Sequence, residues 1–559
     1  MMPEMKPEVT AEPAQDIAPE AVQEIANTEV LSEPPPEVTP PAVPLTRWQR
    51  FLHWKHLGLF AIVLVTLILH FMAIVHPPTI VWDEIWYVGD VRSIISGTGE
   101  MRPEHPPLAK IFILAGEYIF NGFKTPEHDT GVKTYQYLGG DKDNDTTIDV
   151  SDASLIKIGT TIRIESEQME VKGINPGLNQ ITVQREFGGT SATTHNMLQR
   201  IYVFTDNAFG WRFFSIIFGT LGIIIFYFIC IKLKFSWKIT MIATFLFAFE
   251  DMTFVHSGLA LLDVYMVTFM LAAILCYFDE KYIWMGIFVA LSANCKLVGV
   301  LIFFAIFVHW AIYRKDKWKS FSASLVVAAI SFVVFLVFFD IFIKGSVENP
   351  IIRINEMFSG TAANMFTPNA TNPAPKLSIS SRPWTWIYPQ FVALKDTYNV
   401  PSIVYSYDPQ YISFISSTIQ ILIVPTICYM IYKAFIAVKK SPIAAFIVLW
   451  FISTYLFWFP VSAPFTINLL GSTVGNRVAF VFYFLATTPA ICIGIAMAVS
   501  DWLDKLQARR LVTNRITPLQ RAAYIFIPAW LLLHLAIFIV FNPAVPVIIK
   551  TWLPPFSNW

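Results

Sequence analysis

The sequence is dominated by apolar runs, most of them roughly 18 or more residues long, which is enough to cross a bilayer. Hydrocarbon offers no partner for a backbone amide, so each run must fold as a helix whose hydrogen bonds close internally. The runs lie near 57–75, 209–231, 238–255, 258–278, 282–295, 298–313, 321–343, 411–436, 442–460, 474–499 and 522–541. They predict a polytopic α-helical membrane protein with about 11 transmembrane helices, although 282–313 can be divided differently. Only 14% of residues are charged, against about 25% in soluble domains. Lys and Arg balance Asp and Glu at 40 each, so no nucleic-acid partner is indicated. The five cysteines (Cys230, Cys276, Cys295, Cys428, Cys492) sit in or beside apolar runs. They show no CxxC or Cys/His spacing and read as packing residues.

Residues 1–45, rich in Pro and Glu, read as a disordered acidic cytoplasmic tail. Loop charge sets the orientation. With the N-terminus inside, the short inner loops hold clusters such as Lys232/Lys234/Lys238, Arg314/Lys315/Lys317/Lys319 and Lys505/Arg509/Arg510, whereas the short outer loops hold only Lys296. Trp559 is then outside. The expected order is the first transmembrane helix with outer-loop helices over 46–133, a β-rich module over 134–203, and transmembrane helices 2–7 over 204–343. An outer loop over 344–410 and helices 8–11 with an outer tail over 411–559 complete it. The module is expected from Ile148-Asp-Val, Thr161-Ile-Arg-Ile, Met169-Glu-Val and Ile181-Thr-Val, separated by turns at Gly159, Asn175-Pro-Gly and Gly188-Gly189. Through Glu167-Gln-Met and Val183-Gln-Arg-Glu-Phe-Gly-Gly-Thr it resembles short β modules of phage and surface proteins, which implies no chemistry. The sequons at Asn144 and Asn369 both fall in outer segments.

Adjacent carboxylates Asp83 and Glu84 follow the first run. They offer a general base with a helper, or, more plainly, a solvated helix start. In Glu104-His105-Pro106-Pro107-Leu-Ala-Lys110 the prolines open a helix, and Lys110 stands one turn in. That arrangement suits an anion; a turn before an interfacial helix explains it equally. Arg212, Asp263, Lys296 and Arg477 lie within or at the ends of apolar runs, where charge is costly. All are expected near the outer leaflet and suit a lipid-borne phosphate. A structural ion-pair network, or snorkelling of the arginines, is the alternative.

These residues resemble signatures of the protein O-mannosyltransferases of glycosyltransferase family 39, in the GT-C superfamily. The resemblance rests on Asp83-Glu84, His105-Pro-Pro-Leu-Ala-Lys110, Trp211-Arg212, His256-Ser-Gly-Leu-Ala-Leu-Leu-Asp263 and Lys296-Leu-Val-Gly299, followed by Ser381-Arg-Pro-Trp384-Thr-Trp386 and Arg477 with Phe482-Tyr483-Phe484. It covers about 46–130 and 205–500. Gly258 stands where the family usually has Arg, with His256 near that place, and the sugar-binding repeats of fungal members are missing. The chain is similar to a prokaryotic, archaeal-type member.

The resemblance implies a GT-C fold and an inverting transfer of mannose from polyprenyl (dolichyl) phosphate to Ser or Thr of an acceptor protein outside the membrane. Asp83 would be the base, and Glu84 would orient it or bind acceptor. Arg212 and Arg477, with Lys296, His105 and Lys110, would hold the donor phosphate; Glu104, Asp263, His256 and Trp384 would serve acceptor or structure. No cofactor is required and no metal-ligand set is evident. Membrane lipids are partners, and dimerisation is left open. The alternatives are a GT-C transferase for another lipid-linked sugar or a glycan or lipid acceptor, a transporter of lipid-linked sugar, which would favour internal repeats, and an anchored adhesion protein.

Overall fold

Helix α1 (Leu57–Ala73) is the first helix described, followed by two amphipathic helices, α2 (Glu84–Ile95) and α3 (Leu108–Phe120). The computed structural model describes residues 56–363, 381–387, 403–405, 409–463, 466–469, 472–513 and 516–552. The acidic tail, the Asn369 sequon, much of the 344–410 segment and Trp559 lie outside the described residues.

A six-stranded antiparallel sheet then spans β1 (Glu127–Lys133), β2 (Thr147–Asp149), β3 (Thr161–Ile164), β4 (Glu167–Asn175), β5 (Gln180–Phe187) and β6 (Arg200–Phe204). The order across the sheet is β1-β6-β3-β4-β5-β2, so it extends slightly past both ends of the 134–203 range. On β5 the side chains of Ile181, Val183, Arg185 and Phe187 turn inward in strict alternation, as the two-residue period of a strand requires. Ile148, Ile162, Met169, Val171, Ile201 and Val203 complete a small core separate from that of the helices. Arg185 tolerates its inward position because Glu167 meets it in a two-pronged pair (3.0 and 2.7 Å), and His195 bonds the same carboxylate at 2.9 Å.

The module is locked onto α2. Gly89 and Gly188 approach so closely that a Cβ on Gly89 would stand 2.1 Å from the Gly188 carbonyl oxygen. Gln168 donates to the Gly89 carbonyl (2.9 Å) and the Ser93 hydroxyl (2.8 Å). Arg92 donates to Thr161 (2.8 Å) and Asp206 (2.7 Å).

The long helices follow: α4 (Ala208–Lys232), α5 (Trp237–Ala248), α6 (Asp251–Gly258), α7 (Leu262–Phe278), α8 (Tyr282–Cys295), α9 (Leu301–Tyr313), α10 (Trp318–Lys344), α11 (Pro350–Ala363), α12 (Ser417–Ile431), α13 (Pro442–Phe451), α14 (Trp458–Ser462), α15 (Thr488–Thr513), α16 (Pro518–Phe541) and α17 (Ala544–Trp552). Every one of the predicted runs contains helix, yet among the described residues five helices are long and apolar enough to cross a membrane, or six if one bent pair counts as a span. Part of the shortfall from eleven is length, since Leu57–Ala73 and Leu262–Phe278 are 17 residues each, and part is polar residues that break the runs. The 238–255 run divides at Glu250, where α5 and α6 bend by 59°. Glu250 caps α6 by accepting from the Thr253 amide and hydroxyl (both 2.7 Å), and it also takes the Ser416 amide (3.1 Å), so its carboxylate is not left bare in an apolar setting. Lys296 breaks the 282–313 region before a short 3₁₀ turn, Leu297–Val300. The 474–499 run begins in an antiparallel hairpin, β9 (Thr466–Leu469) with β10 (Ser472–Gly475), and becomes regular helix only at Thr488; an earlier pair, β7 (Ile403–Tyr405) and β8 (Tyr411–Ser413), precedes α12. The polytopic helical class with one small antiparallel module stands.

Candidate active site

Trp82 has φ of 35°, a left-handed conformation that costs a bulky residue strain, and it turns the chain so that Asp83 heads α2. Consecutive residues at a helix start point in different directions, and the two carboxylates separate accordingly. Glu84 is fully buried and accepts four hydrogen bonds: from Arg212 Nε and Nη2 (both 2.8 Å) and from the Val81 and Ala260 amides (both 2.9 Å). Arg212 spends its remaining reach on the Ile74, Pro77 and Thr79 carbonyls at 2.9–3.0 Å. It is buried and does not face the cluster around Asp83, contrary to the phosphate-binding position expected for it.

The Asp83 carboxylate, by contrast, forms no hydrogen bond among the described residues. Its surface is partly accessible, but protein crowds it on the longer scale that governs solvation. Burial, reinforced by Asp263 and opposed by Lys296 and Arg102, pushes its pKa up from 3.8 to about 7. Tyr87, one helical turn on, has its hydroxyl pushed well up by burial and by Asp83, Asp263, Tyr483 and Glu104. The His105 ring stands edge-on to Tyr87 at 5.6 Å. Burial, then Lys110, Lys296, Arg477 and Arg102, hold His105 well below the ordinary imidazole range, so it is neutral at neutral pH.

Lys296 comes from the α8 break and Asp263 from the first turn of α7. They pair through both carboxylate oxygens (2.8 and 2.9 Å), with the ammonium over the rings of Phe482 (5.2 Å) and Tyr483 (4.9 Å). Arg477 follows the β9–β10 hairpin. Its guanidinium lies 5.7 Å from the Trp458 ring, and it has no carboxylate partner among the described residues; its buried Nε lacks any hydrogen bond. Arg102 stacks on Trp86 at 3.9 Å and pairs with Glu104 at 3.4 Å.

Three expected residues lie elsewhere. Lys110 is buried between Asp90 (2.8 Å) and Glu100 (2.5 Å) and donates to the Arg102 carbonyl (2.6 Å), leaving it no free donor for a lipid phosphate. His256 bonds Ser413 at 3.1 Å and packs on Phe482 at 5.2 Å, behind Lys296. Trp384 contacts Phe459 and Arg382 and makes no contact with the Asp83 cluster. Two residues were missed. Tyr87 had a signal, since i and i+4 share a helix face. Arg353 of α11 had none, yet it bonds Glu100 (2.9 Å), Asp340 (3.2 Å) and the Pro103 carbonyl (2.6 Å), strapping the segment before His105 to α10 and α11. Among the described residues no three His, Cys, Asp or Glu side chains converge as a metal site would need.

The profile of the dolichyl-phosphate-mannose-protein mannosyltransferase family matches residues 189–346, which takes in Arg212, His256, Asp263 and Lys296 but not Asp83, His105 or Arg477. No curated protein sequence matches the chain. Solved structures with similar arrangements include ArnT from Cupriavidus metallidurans bound to undecaprenyl phosphate (13% identity, 89% of this chain and 79% of that one, TM-score 0.46). Another is the S. cerevisiae protein O-mannosyltransferase Pmt1-Pmt2 complex bound to the sugar donor (17% identity, 57% of this chain and 37% of that one, TM-score 0.30). A third is the oligosaccharyltransferase of Archaeoglobus fulgidus in the apo form (12% identity, 89% of this chain and 57% of that one, TM-score 0.43). Overlaps this loose carry no residue from those proteins to this one.

Proposed function

We propose that this chain is an integral membrane glycosyltransferase of the GT-C kind, moving mannose from a polyprenyl (dolichyl) phosphate to Ser or Thr hydroxyls of proteins, with inversion at the sugar carbon. The observation that carries the reading is Asp83: an unbonded carboxylate titrating near 7, beside a neutral His105 and the cations Lys296, Arg102 and Arg477. The match to the mannosyltransferase profile supports the donor class.

A Ser or Thr hydroxyl is too weak an acid to ionise near pH 7, so its proton must leave as the new bond forms. In this reading the hydroxyl oxygen attacks the anomeric carbon, Asp83 takes the proton, and the sugar–phosphate bond breaks with its electrons passing to the lipid phosphate. A base titrating near the working pH balances availability against proton affinity. Arg477, whose guanidinium has no carboxylate partner among the described residues, and the Lys296 ammonium neutralise the phosphate as its charge grows, from fixed positions. Glu84 and Arg212 act as positioning residues that hold the Trp82–Asp83 turn. The loop-charge bias supports an N-terminus inside and a site outside.

Transfer of radiolabelled mannose from polyprenyl-phosphate-mannose to a Ser/Thr-rich peptide tests this, comparing wild type with Asp83→Asn. The expected result is transfer by wild type and its loss in a correctly inserted variant. No transfer by wild type would reject mannose or the protein acceptor and advance another lipid-linked sugar or acceptor. Equal transfer by both would remove Asp83 from the mechanism.

A further inference from the structure

A cleft of about 270 Å³ opens between the β module and the turn that carries Asp83. Its lining is mixed: Ile80, Trp82, Ile85 and Phe187 are apolar, Glu170, Lys172 and Asp206 bring charge, and two threonines bring hydroxyls. We propose that this cleft binds an extended, uncharged stretch of the acceptor polypeptide and delivers its hydroxyl residue to Asp83. The inference rests on the transferase reading and adds the acceptor site to it.

Position supports the assignment first. Trp82 lines the cleft, and its indole also packs edge-on against Phe480 and Phe482, both at 6.1 Å. Phe482 in turn carries Lys296. Trp82 is therefore the partition between the cleft and the ionic cluster, and Asp83 is the next residue along the chain, with Cα atoms about 3.8 Å apart. An extended chain advances about 3.3 Å per residue, close to the backbone spacing that separates Trp82 from Asp83.

Charge supplies the second argument. Glu170 is paired by Lys172 at 2.7 Å and Asp206 by Arg92 at 2.7 Å. The two acids that line the cleft are thus compensated by neighbouring cations, and the rest of the lining is neutral. Such a surface selects small neutral side chains, which is the character of a Ser/Thr-rich segment.

Third, the strand that faces the cleft is irregular there and nowhere else along the module's centre. The pairing of β4 with β5 shifts between Gln168 and Glu170, where the extra residue lies on β5 just before Phe187, and again between Val171 and Gly173, where Lys172 is the extra residue on β4. Bulges re-aim side chains that a regular ladder would direct elsewhere. The Gly89–Gly188 contact and the Gln168 bonds fix the module to α2, so cleft and base keep one geometry.

The test uses full-length protein in nanodiscs with two Ser-containing peptides, one neutral and one carrying a lysine, each bearing a benzophenone. Cross-links mapped by mass spectrometry should fall in 79–85 and 159–172. Lys172→Glu changes an exposed side chain away from the ionic cluster, with donor hydrolysis by water read alongside. It leaves Glu170 uncompensated and should shift the ratio of kcat/KM severalfold toward the lysine peptide. Cross-links confined to other segments, or an unchanged ratio, overturn the proposal even where transfer depends on Asp83. Cross-links in the cleft with no sugar transferred from any donor would keep the binding site and reject the transferase reading.

Discussion

Replacing Glu84 with Gln tests whether the Glu84–Arg212 pair is a structural clamp. Both side chains are fully buried, and Glu84 accepts from two guanidinium nitrogens and two backbone amides. Gln keeps one acceptor oxygen and places an amide N–H₂ group against donors, so two of the four bonds fail and Arg212 keeps an uncompensated buried charge. Removing one partner of a buried pair costs about 3–5 kcal/mol. Arg212→Met should cost at least as much, because it also strips donors from the Ile74, Pro77 and Thr79 carbonyls, at about 1–3 kcal/mol for each group left unsatisfied. The double variant should fall short of the sum by about 0.5–3 kcal/mol, since contacting residues couple. Denaturant unfolding in detergent, read alongside the donor KM, measures all three. A Glu84→Gln protein within about 0.5 kcal/mol of wild type, the range of inconsequential surface changes, would refute the clamp. Weakened donor binding in Arg212→Met with stability intact would return Arg212 to the lipid phosphate.

Asp83→Asn should slow transfer by about 10²–10⁴-fold, the usual weight of a positioned base. Because the raised pKa leaves Asp83 protonated below about 7, wild-type transfer should fall as pH drops through 7 rather than through 4, and a profile breaking near 4 would reject this environment. Arg477→Ala should cost about 10²–10³-fold in kcat, as removal of one charge-stabilising donor does; it breaks no ion pair among the described residues, so unchanged thermal stability is the accompanying check. In the β module, burial pushes Glu167 up, but bonds from His195, Arg185 and the Thr193 amide outweigh it and hold the pKa at about 2. Its depressed value gives stability that is present above 4.5 and lost as pH falls toward 2. For His195, burial pushes down, yet Glu167 and Glu165 prevail and raise it, so its contribution is full below 6.5 and fades as pH climbs past its folded value. Amide protection over 161–203 in the intact protein, taken relative to intrinsic exchange at each pH, should therefore be greatest between those limits, and flat protection from pH 3 to 8 would contradict the pairing.

What the sequence conveyed and what it withheld divide along one physical line. Periodicity and apolar length are local, so the helices and the β module were legible, and so, on closer reading, was the broken span, because Glu250 and Asp251 stand inside the apolar run that they interrupt. The division of labour between Asp83 and Glu84 was not local. Two adjacent carboxylates look alike in sequence, and they differ here because one meets Arg212, 128 residues away, while the other meets no donor among the described residues. Lys110 shows the same blindness in reverse: a cation one turn into a helix suits a phosphate until Asp90 and Glu100 close on it. Arg353 strengthens the point, since nothing in its own segment marks it, yet it fixes the stretch leading to His105. The residues that sequence could name were those whose chemistry is scarce in a membrane. Which of them remain free for substrate depends on which charges the fold has already paired, and that selection is made by contacts between distant segments.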